Sequence, residues 1–402
     1  MKILLVNKFY YLRGGDCSAV FNTEQLLKAH GHAVALFSMQ HPLNVRSDWE
    51  HYFPKEASFS FSDILRAIRA IARIFHSSEV ARKFRQLLDD FQPDVVHLHN
   101  IHSYLSPLVA RIAHQRGIRV VWTLHDYKLV CPSYSCLRKG STCEACFKNK
   151  CSVIRHRCMK DSFPASVLAW LEACYWHREK LSRLTDMFIS PSVFLKTKMT
   201  QAGYLPEQIA VLSNFLPEAL ACSTEKNDYY CYVGRLSEEK GVETLLEVAA
   251  DFPLPLKVIG AGPLLETYQK KYSCAQVEFL GQQPQESLFP IVQKARFIVL
   301  PSVWYENNPL SIIEALSMGT PVCGACIGGI PELITAGKNG YLFRPGDKRD
   351  LLNSMTLCFE QLASPDIYRI ISMEAQNKFG AAAFYDKLMN FYETSMYLNT
   401  PK

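Results

Sequence analysis

Short apolar runs alternate with segments of helical periodicity along the first half of the chain. Residues 3–6 form an apolar run that predicts a buried strand, and a helical pattern covers residues 17–29. Residues 32–38, 95–98 and 119–124 predict further strands. Strands that alternate with helices predict a parallel sheet that helices cover on both faces.

The same alternation starts again in the second half. Strands are predicted at residues 229–234, 256–260, 277–280, 297–301 and 321–323, with helices over 242–251, 286–294 and 309–318. Periodicity fades at 217–228, which indicates a boundary. The pattern predicts an α/β protein of two facing, doubly wound Rossmann-like domains, 1–216 and 217–380, with residues 381–402 as a C-terminal helix that packs back toward the first. Ligands of such sheets bind beyond the carboxyl ends of the strands, so we expect a site in the cleft between the domains.

Composition excludes several classes of protein. Apolar residues make up 48% of the 402 residues and charged residues 20%, so the chain can form a core and is not disordered. It has no apolar run of about 18 residues, and its first apolar run is too short for a signal peptide. These features predict a cytoplasmic protein.

Positive charge is concentrated in the first half. The net charge is +6, but residues 1–190 hold 26 Lys and Arg against 16 Asp and Glu, and all 12 histidines lie there. Such asymmetry indicates an anionic partner. Three kinds of partner fit this charge: a nucleic acid, an anionic membrane surface and a phosphorylated substrate.

Two glutamates flank the start of the predicted helix at 309–318. Glu306 precedes the helix and Glu314 lies about one and a half turns inside it. The free N–H groups near Asn308 and Pro309 form an anion site at the positive end of the helix. This pattern is typical of a site for a diphosphate and for vicinal hydroxyls such as those of a ribose. Two surface glutamates near a helix start would show the same spacing.

Loops after two other strands add candidate phosphate ligands. Arg235 and Lys240 lie in the loop that begins at Gly234, where two cations can flank a phosphate pair. The alternative is a solvated loop whose charges pair internally. Gly14 and Gly15 lie in the first loop of the N-terminal domain and let a ligand approach the backbone, although the GxGxxG pattern of dinucleotide sites is absent.

In their order and spacing, these segments resemble glycosyltransferase family 4, and the resemblance covers almost the whole chain. It rests on Gly14-Gly15, Thr123-Leu124-His125-Asp126, Ser190-Pro191-Ser192, Gly234-Arg235-Leu236 with Lys240-Gly241, Gly260-Ala261-Gly262-Pro263, Pro301-Ser302 with Glu306, Glu314-Ala315-Leu316 with Gly319-Thr320-Pro321-Val322, and Gly328-Gly329-Ile330-Pro331-Glu332. The resemblance implies the two-domain GT-B fold and a retaining transfer of a sugar from a nucleotide-sugar donor. It also implies that no catalytic metal is required, because cationic side chains would stabilise the leaving group.

The resemblance also implies roles for individual residues. Arg235 and Lys240 would bind the donor diphosphate, and Glu314 would bind the ribose hydroxyls. The other implied donor contacts are Glu306 and the backbone of Asn307, Asn308, Pro309 and Leu310 for the hexose, and Gly14, Gly15 and Gly234 near the diphosphate. His125 would face the sugar, so the catalytic set would be Arg235, Lys240, Glu306 and His125. Many relatives have Gly-Phe-Gly where this chain has Asn307-Asn308-Pro309, which leaves the donor sugar open.

Polar residues follow a central strand of the first domain. His99, Asn100 and His102 come after the strand at 95–98 and are candidates for lining the acceptor side of the cleft. Alternate residues of a strand share one face, so a metal site is the alternative for these histidines.

The chain has 14 cysteines, of which six lie in a basic, irregular insertion over residues 131–158. Such a segment has little apolar content, so a metal would help it fold. Cys143, Cys146, Cys151 and Cys158 have a spacing that suits a structural zinc, with Cys131 as the reserve ligand. An iron–sulfur cluster and free thiols are the alternatives.

Residues 61–88 combine apolar positions at helical spacing with basic residues such as Arg66, Arg73 and Lys83. This pattern is typical of a helix on an anionic membrane surface, which a lipid-linked or anionic glycan acceptor would explain. The alternative is an ordinary helix with a solvated face.

The leading interpretation is a retaining enzyme that moves a hexose or hexosamine to a glycan or lipid-linked glycan in surface-polysaccharide biosynthesis. The donor is expected to be UDP-linked rather than GDP-linked, and the enzyme is expected on the inner face of the membrane, without nucleic acid. The alternatives are a nucleotide-sugar epimerase of the same fold, an inactive donor-binding scaffold and a zinc-containing nucleic-acid-binding protein. The acidic second half and the lack of basic–aromatic interleaving weigh against the last.

Overall fold

The computed structural model describes residues 1–57 and 71–394. The chain forms two compact units. The first contains Met1–Cys136, Glu144–Ser213 and the chain from Phe384 onward, and the second contains Leu137–Cys143 and Asn214–Ala383. Each unit has its own six-stranded sheet.

The first unit is built on a parallel sheet. Its strands are β1 (Lys2–Val6), β2 (Ala33–Phe37), β3 (Val95–Leu98) and β4 (Arg119–Thr123), followed, after the short antiparallel pair β5 (Leu137–Arg138) and β6 (Ser141–Thr142), by β7 (Met187–Ser190) and β8 (Ile209–Val211). Their order is β2-β1-β3-β4-β7-β8. The strand order reverses at β1, which pairs with β2 on one side and β3 on the other. The loops after β1 and β3 therefore leave the sheet at a topological switch point, where open α/β sheets bind ligands.

Helices connect these strands, and serine side chains begin several of them. The helices are α1 (Gly15–Ala29), α2 (Ser78–Phe91), α3 (Leu108–Gln115), α4 (Ala145–Lys148), α5 (Ser152–Arg155), α6 (Phe163–Tyr175), α7 (Arg178–Arg183) and α8 (Val193–Gln201). Ser77, Ser162 and Ser192 each accept a hydrogen bond from the backbone N–H three residues further on, at the starts of α2, α6 and α8. These caps satisfy N–H groups that the helices leave unpaired.

The second unit repeats the doubly wound plan. Its strands are β9 (Tyr230–Val233), β10 (Leu256–Ile259), β11 (Val277–Gly281), β12 (Ile298–Leu300), β13 (Val322–Ala325) and β14 (Gly340–Phe343), in the order β11-β10-β9-β12-β13-β14. The strand order reverses at β9, between β10 and β12. The loops after β9 and β12 thus flank the second switch point.

Helices cover both faces of this second sheet. They are α9 (Val242–Val248), α10 (Leu265–Tyr272), α11 (Gln285–Lys294), α12 (Leu310–Ser317), α13 (Lys348–Gln361) and α14 (Pro365–Phe379), and α15 (Ala381–Glu393) follows. Val258 and Val299 belong to one apolar cluster, whereas their neighbours Ile259 and Ile298 belong to another. Successive strand residues point to opposite faces, so the apolar runs of the sequence bury both sides of the sheet.

The last helix belongs to the first unit from Phe384 onward. Leu388 and Tyr392 are buried in one cluster with Ile3, Val95 and Val121 of the first sheet. The hydroxyl of Tyr392 forms a 2.7 Å hydrogen bond with Nδ1 of His97. The last helix therefore completes the core of the unit that contains β1.

The basic pattern at 61–88 falls partly on residues 58–70, which lie outside the described residues. Within the described part, Arg73 is buried and its Nη1 donates to the carbonyl of Lys55. Lys83 of α2 donates to the carbonyls of His51 and Phe53. These two cations bind main-chain oxygens, whereas Arg82 and Arg85 of the same pattern are exposed on α2. No helix within residues 1–57 and 71–394 is long and apolar enough to cross a membrane.

Candidate active site

Three loops of the second unit approach one another backbone to backbone. A Cβ atom on Gly260 would lie 1.9 Å from the carbonyl oxygen of Gly234, and one on Gly241 would lie 2.1 Å from that of Pro301. Gly241 also has a φ of +62°, a conformation that side chains disfavour. Glycine at these positions lets the loops after β9, β10 and β12 meet at the switch point.

Lys240 and Glu306 form an ion pair between two of these loops. The Lys240 Nζ lies 2.6 Å from Oε1 of Glu306, and the Ser302 hydroxyl donates to the same oxygen at 2.6 Å. Burial alone would raise the pKa of Glu306. Lys240 and Ser302 together lower it by more than burial raises it, so the pKa lies below its usual value. Glu306 is therefore ionised at neutral pH. Arg235, the other predicted phosphate ligand, is exposed in the same loop.

The backbone of Glu306 and Asn308 is also fixed. The N–H of Gly329 donates to the Glu306 carbonyl at 2.7 Å. The side-chain oxygen of Asn308 accepts from the N–H of Asn214, and the Asn214 amide donates to the Asn308 carbonyl, both at 2.8 Å. The Asn308 side chain thus holds the loop to the start of the unit, and the donor contact of its backbone stays a prediction.

Pro309 is the last residue before helix α12, with a φ of −67°. The helix begins at Leu310, and its first N–H groups have no partner within the helix. Proline has no N–H, but Pro309 precedes the helix and therefore removes none of the N–H groups of the helix itself. The predicted anion site at this helix start keeps these groups, next to a rigid loop.

Glu314 contrasts with Glu306. It lies one turn inside α12, and among the described residues no donor or cation contacts its carboxyl group. Burial raises the pKa of Glu314 to about 7. Two carboxyl groups of one short segment therefore differ in charge state near neutral pH, which is a frequent property of functional sites. A carboxylate without donors suits the predicted binding of vicinal hydroxyls, and this role stays a prediction.

The first unit brings its predicted residues to the loops after β1, β3 and β4. Nδ1 of His99 lies 2.9 Å from Nε2 of His125. Asn100 Nδ2 donates to Asp16 at 2.7 Å, and its backbone N–H donates to Asn7 at 3.1 Å. Asp16, which sequence analysis did not single out, follows Gly14 and Gly15 directly. The position after a glycine loop at a helix start was the available signal.

Both histidines of this pair are neutral. Burial lowers the pKa of His125 to about 4, and it lowers that of His99 well below the usual value. Nε2 of His99 is buried without a partner among the described residues. An unpaired acceptor costs less than an unpaired N–H, so the geometry favours His99 as the donor to His125. His99 and Asn100 are both buried, so they position other groups, whereas His102 stacks on Trp122 with 5.2 Å between ring centres.

The cysteine-rich insertion forms a different thiol group from the predicted one. The Cys131 thiol is hydrogen-bonded with those of Cys136 and Cys146. Cys151 is exposed, and Cys143 and Cys158 are half-buried. Within the described residues, no group of three or more His, Cys, Asp or Glu has the arrangement of a metal site. The structural zinc stays a prediction.

Two doubly wound parallel sheets in one chain are the architecture of the class of proteins with the GT-B fold. Solved structures of that class confirm the fold. The lipopolysaccharide outer core galactosyltransferase WaaB has a TM-score of 0.64 and 17% identity, over 97% of this chain and 98% of that one. Anabaena HepE in complex with UDP and glucose has a TM-score of 0.65 and 18% identity, over 97% and 99%.

The chain belongs to glycosyltransferase family 4 and is a glycosyltransferase. Residues 18–219 match the model Glycosyltransferase Family 4, and residues 222–368 match the model Glycosyl transferases group 1. The predicted family and enzyme class are confirmed. The nucleic-acid-binding alternative finds no support.

Two relatives illustrate the range of similarity. An uncharacterized 42.6 kDa protein in the cps region of Klebsiella pneumoniae is 27% identical over 355 residues, which are 83% of this chain and 87% of that protein. The putative colanic acid biosynthesis glycosyltransferase WcaL of Escherichia coli is 26% identical over 216 residues, which are 48% of this chain and 52% of the relative. The second match thus spans about half of the relative's length.

Gly241→Ala should lower the free energy of unfolding more than Gly281→Ala does. Gly281 has a similar φ of +65° but no atom within 4 Å of the added Cβ, so it isolates the backbone strain of about 1 kcal/mol. The contact with Pro301 should add about 2 kcal/mol at Gly241. Urea denaturation of both variants measures the difference. An equal loss of unfolding free energy in both variants would show that the contact with Pro301 adds no cost.

Glu314→Gln should stabilise the protein at pH 8 but not at pH 4. The folded-state pKa lies above the unfolded-state value, so the contribution of the carboxyl group is fully present below about pH 4.5 and is lost as pH rises through 7. The variant should exceed the wild type by up to about 3 kcal/mol at pH 8. Urea denaturation across this range measures the effect, and the exposed Glu286→Gln is the control. A difference that does not change with pH would contradict the burial of an unpaired carboxyl group.

Proposed function

We propose that this enzyme transfers a hexose or hexosamine from a nucleotide-sugar donor, with retention, to a glycan or lipid-linked glycan acceptor during surface-polysaccharide assembly. The observation that carries the proposal is the Lys240–Glu306 ion pair at the switch point of the second unit, beside the start of the helix that carries Glu314. The names of the Klebsiella and Escherichia relatives support the polysaccharide role. The HepE complexes with UDP and UDP-glucose support a UDP-linked donor rather than a GDP-linked one.

In the proposed donor site, cationic groups bind the diphosphate and a carboxylate binds the ribose. Lys240 uses one of its three N–H donors for Glu306, so two remain for a diphosphate oxygen. Arg235 and the first N–H groups of α12 would add positive potential around the same anion. Glu314 has no hydrogen-bond donor among the described residues. The ribose hydroxyls of the bound donor would supply hydrogen bonds to its carboxylate.

The proposed reaction breaks the bond between C1 of the sugar and the β-phosphate oxygen. The acceptor hydroxyl attacks C1 from the face that the departing diphosphate leaves, and its proton passes to a phosphate oxygen of that diphosphate. Negative charge develops on the phosphate, where Arg235 and Lys240 stabilise it, so the proposal assigns no step to a metal. Neutral His125 would bind a sugar hydroxyl without adding charge.

Lys240→Ala and Glu314→Ala should abolish most transfer from a UDP-sugar to a lipid extract of a polysaccharide-producing strain. Loss of one preorganised charge at a leaving group costs about 100-fold or more in rate. Release of UDP and labelling of the extract are measured together, and thermal shifts with UDP and GDP report donor binding. The exposed Lys338→Ala of the second unit is the control.

Two results would contradict this proposal. If neither UDP nor GDP stabilises the wild type, the donor site is not where we propose it. If the product is an isomer of the donor sugar and the extract gains no label, the protein is an epimerase of this fold.

We also propose that the first unit docks on an anionic membrane surface through helix α6. Phe163, Leu171 and Tyr175 are 53%, 41% and 38% exposed, whereas Ser166 and Glu172 face inward. The helix is apolar on both sides, so part of its apolar surface stays exposed. Exposed basic residues at Arg155, Arg157, Lys160 and Arg183 lie before and after it in the chain, and this charge complements anionic lipid.

Replacement of Phe163 and Leu171 by serine should weaken binding to vesicles of phosphatidylcholine and phosphatidylglycerol by about tenfold or more. Each change removes an apolar side chain from the proposed interface, whereas the equally exposed Leu205→Ser should have little effect. Sedimentation with vesicles measures binding, and vesicles of phosphatidylcholine alone test the contribution of charge. Equal binding to both vesicle types, or an unchanged double variant, would contradict the proposal.

A further inference from the structure

The first unit contains a cavity of about 370 Å³ that the function proposed above does not use. Its walls come from the loops after β3 and β4, from the cysteine-rich insertion and from helices α6 and α7. The lining residues that matter for the argument are His102, Lys128, Lys150, Trp176, Arg178 and Tyr204. A volume of this size lies in the range of small-molecule sites.

The carboxylates in the wall already have partners. Lys128 lies 2.9 Å from Oε2 of Glu172, and the side chains of this pair are 9% and 6% exposed. Glu172 also accepts from the hydroxyl of Ser103 at 3.0 Å. Glu179, the other carboxylate of the wall, pairs with Arg178 and His177. Neither carboxylate is left to balance a further cation.

Lys150 is that further cation. Its Nζ donates to the carbonyl of Val130 at 2.6 Å, and within residues 1–57 and 71–394 it forms no ion pair. Lys150 and Arg178 line the same cavity, although Arg178 also pairs with Glu179. An anion that binds between two cations is stabilised by charge-assisted hydrogen bonds from both.

A buried hydroxyl group in the same wall also has no partner. Tyr204 is 3% exposed, and its Oη forms no hydrogen bond with any described residue. A buried polar group without a partner destabilises a protein unless a ligand supplies one. The rings of Tyr204, Trp176 and Phe147 add apolar surface against which a sugar ring can pack.

We propose that this cavity binds a sugar that carries an acidic group, either the carboxylate of a uronic acid or a phosphate ester. Lys150 and Arg178 would bind the acidic group and Tyr204 a hydroxyl of the ring. His102, a predicted acceptor-side residue, lines this cavity, and Lys128 follows His125 by three residues. The sugar would be a unit of the acceptor, and this part of the inference rests on the proposed transferase function.

The test compares binding of D-glucuronic acid, glucose 6-phosphate, inorganic phosphate and D-glucose to the full chain by isothermal titration calorimetry. At least one acidic sugar should bind about tenfold or more tightly than glucose, because an ammonium–anion hydrogen bond contributes that much. The glucuronate and phosphate arms distinguish the two kinds of acidic group. Equal affinity for glucose and both acidic sugars, or binding of inorganic phosphate as tight as that of either sugar, would overturn the proposal.

Two variants test the residues. Lys150→Met should remove the preference for the acidic sugar, while Lys148→Met, which changes an exposed lysine of α4, should keep it. Tyr204→Phe should leave the melting temperature unchanged or higher, because it removes a buried unpaired hydroxyl, and should weaken sugar binding about fivefold. An unchanged affinity in Tyr204→Phe, with the fold intact, would contradict the assignment even if Lys150→Met fails to fold.

UDP binding, measured on the same samples, separates this inference from the proposed function. If UDP binds and no acidic sugar does, the cavity proposal fails and the transferase proposal stands. If the acidic sugar binds and UDP does not, the cavity is a ligand site but its assignment to an acceptor falls with the transferase proposal.

Discussion

The geometry of the second unit depends on one ion pair in a place with little water. Lys240 and Glu306 come from the loops after β9 and β12, and their 2.6 Å contact joins two loops whose backbones approach closely at Gly241 and Pro301. That distance is accessible because Gly241 has no side chain to meet Pro301. A buried carboxylate is destabilising unless a cation or donors accompany it, so the pair and Ser302 together fix the loop that leads into α12.

The same constraint explains why Glu314 differs from Glu306. Glu306 is buried and Glu314 is half-buried, but Glu314 has no cation among the described residues and its pKa rises to about 7. A protein that leaves such a group unpaired loses stability, and functional sites are where this loss is retained. In the first unit, Nε2 of His99 and the hydroxyl of Tyr204 are unpaired in the same sense. Of these groups, Tyr204 lines the cavity that we propose for the acceptor.

Much of the fold follows from the sequence because apolar runs and helical periods report burial directly. The strands and helices of both sheets lie close to their predicted positions, and the family resemblance rests on loops at the strand ends. Pairings between distant residues were beyond sequence reasoning. Asn308 with Asn214, and Lys128 with Glu172, are set by the packing of loops that no local pattern encodes. Arg73 was misread for the same reason, since its carbonyl partner at Lys55 belongs to another segment.

Helix α6 connects the two proposals for the first unit. Its inner face supplies Glu172 to the wall of the cavity, and its outer face exposes Phe163 and Leu171. A helix in a globular domain ordinarily places its apolar side inward, so exposed apolar residues on the outer face are consistent with the proposed membrane contact. An acceptor that consists of an acidic sugar joined to a membrane lipid would account for both faces of the helix. The lipid would lie on the outer face while the acidic group reaches Lys150 on the inner side.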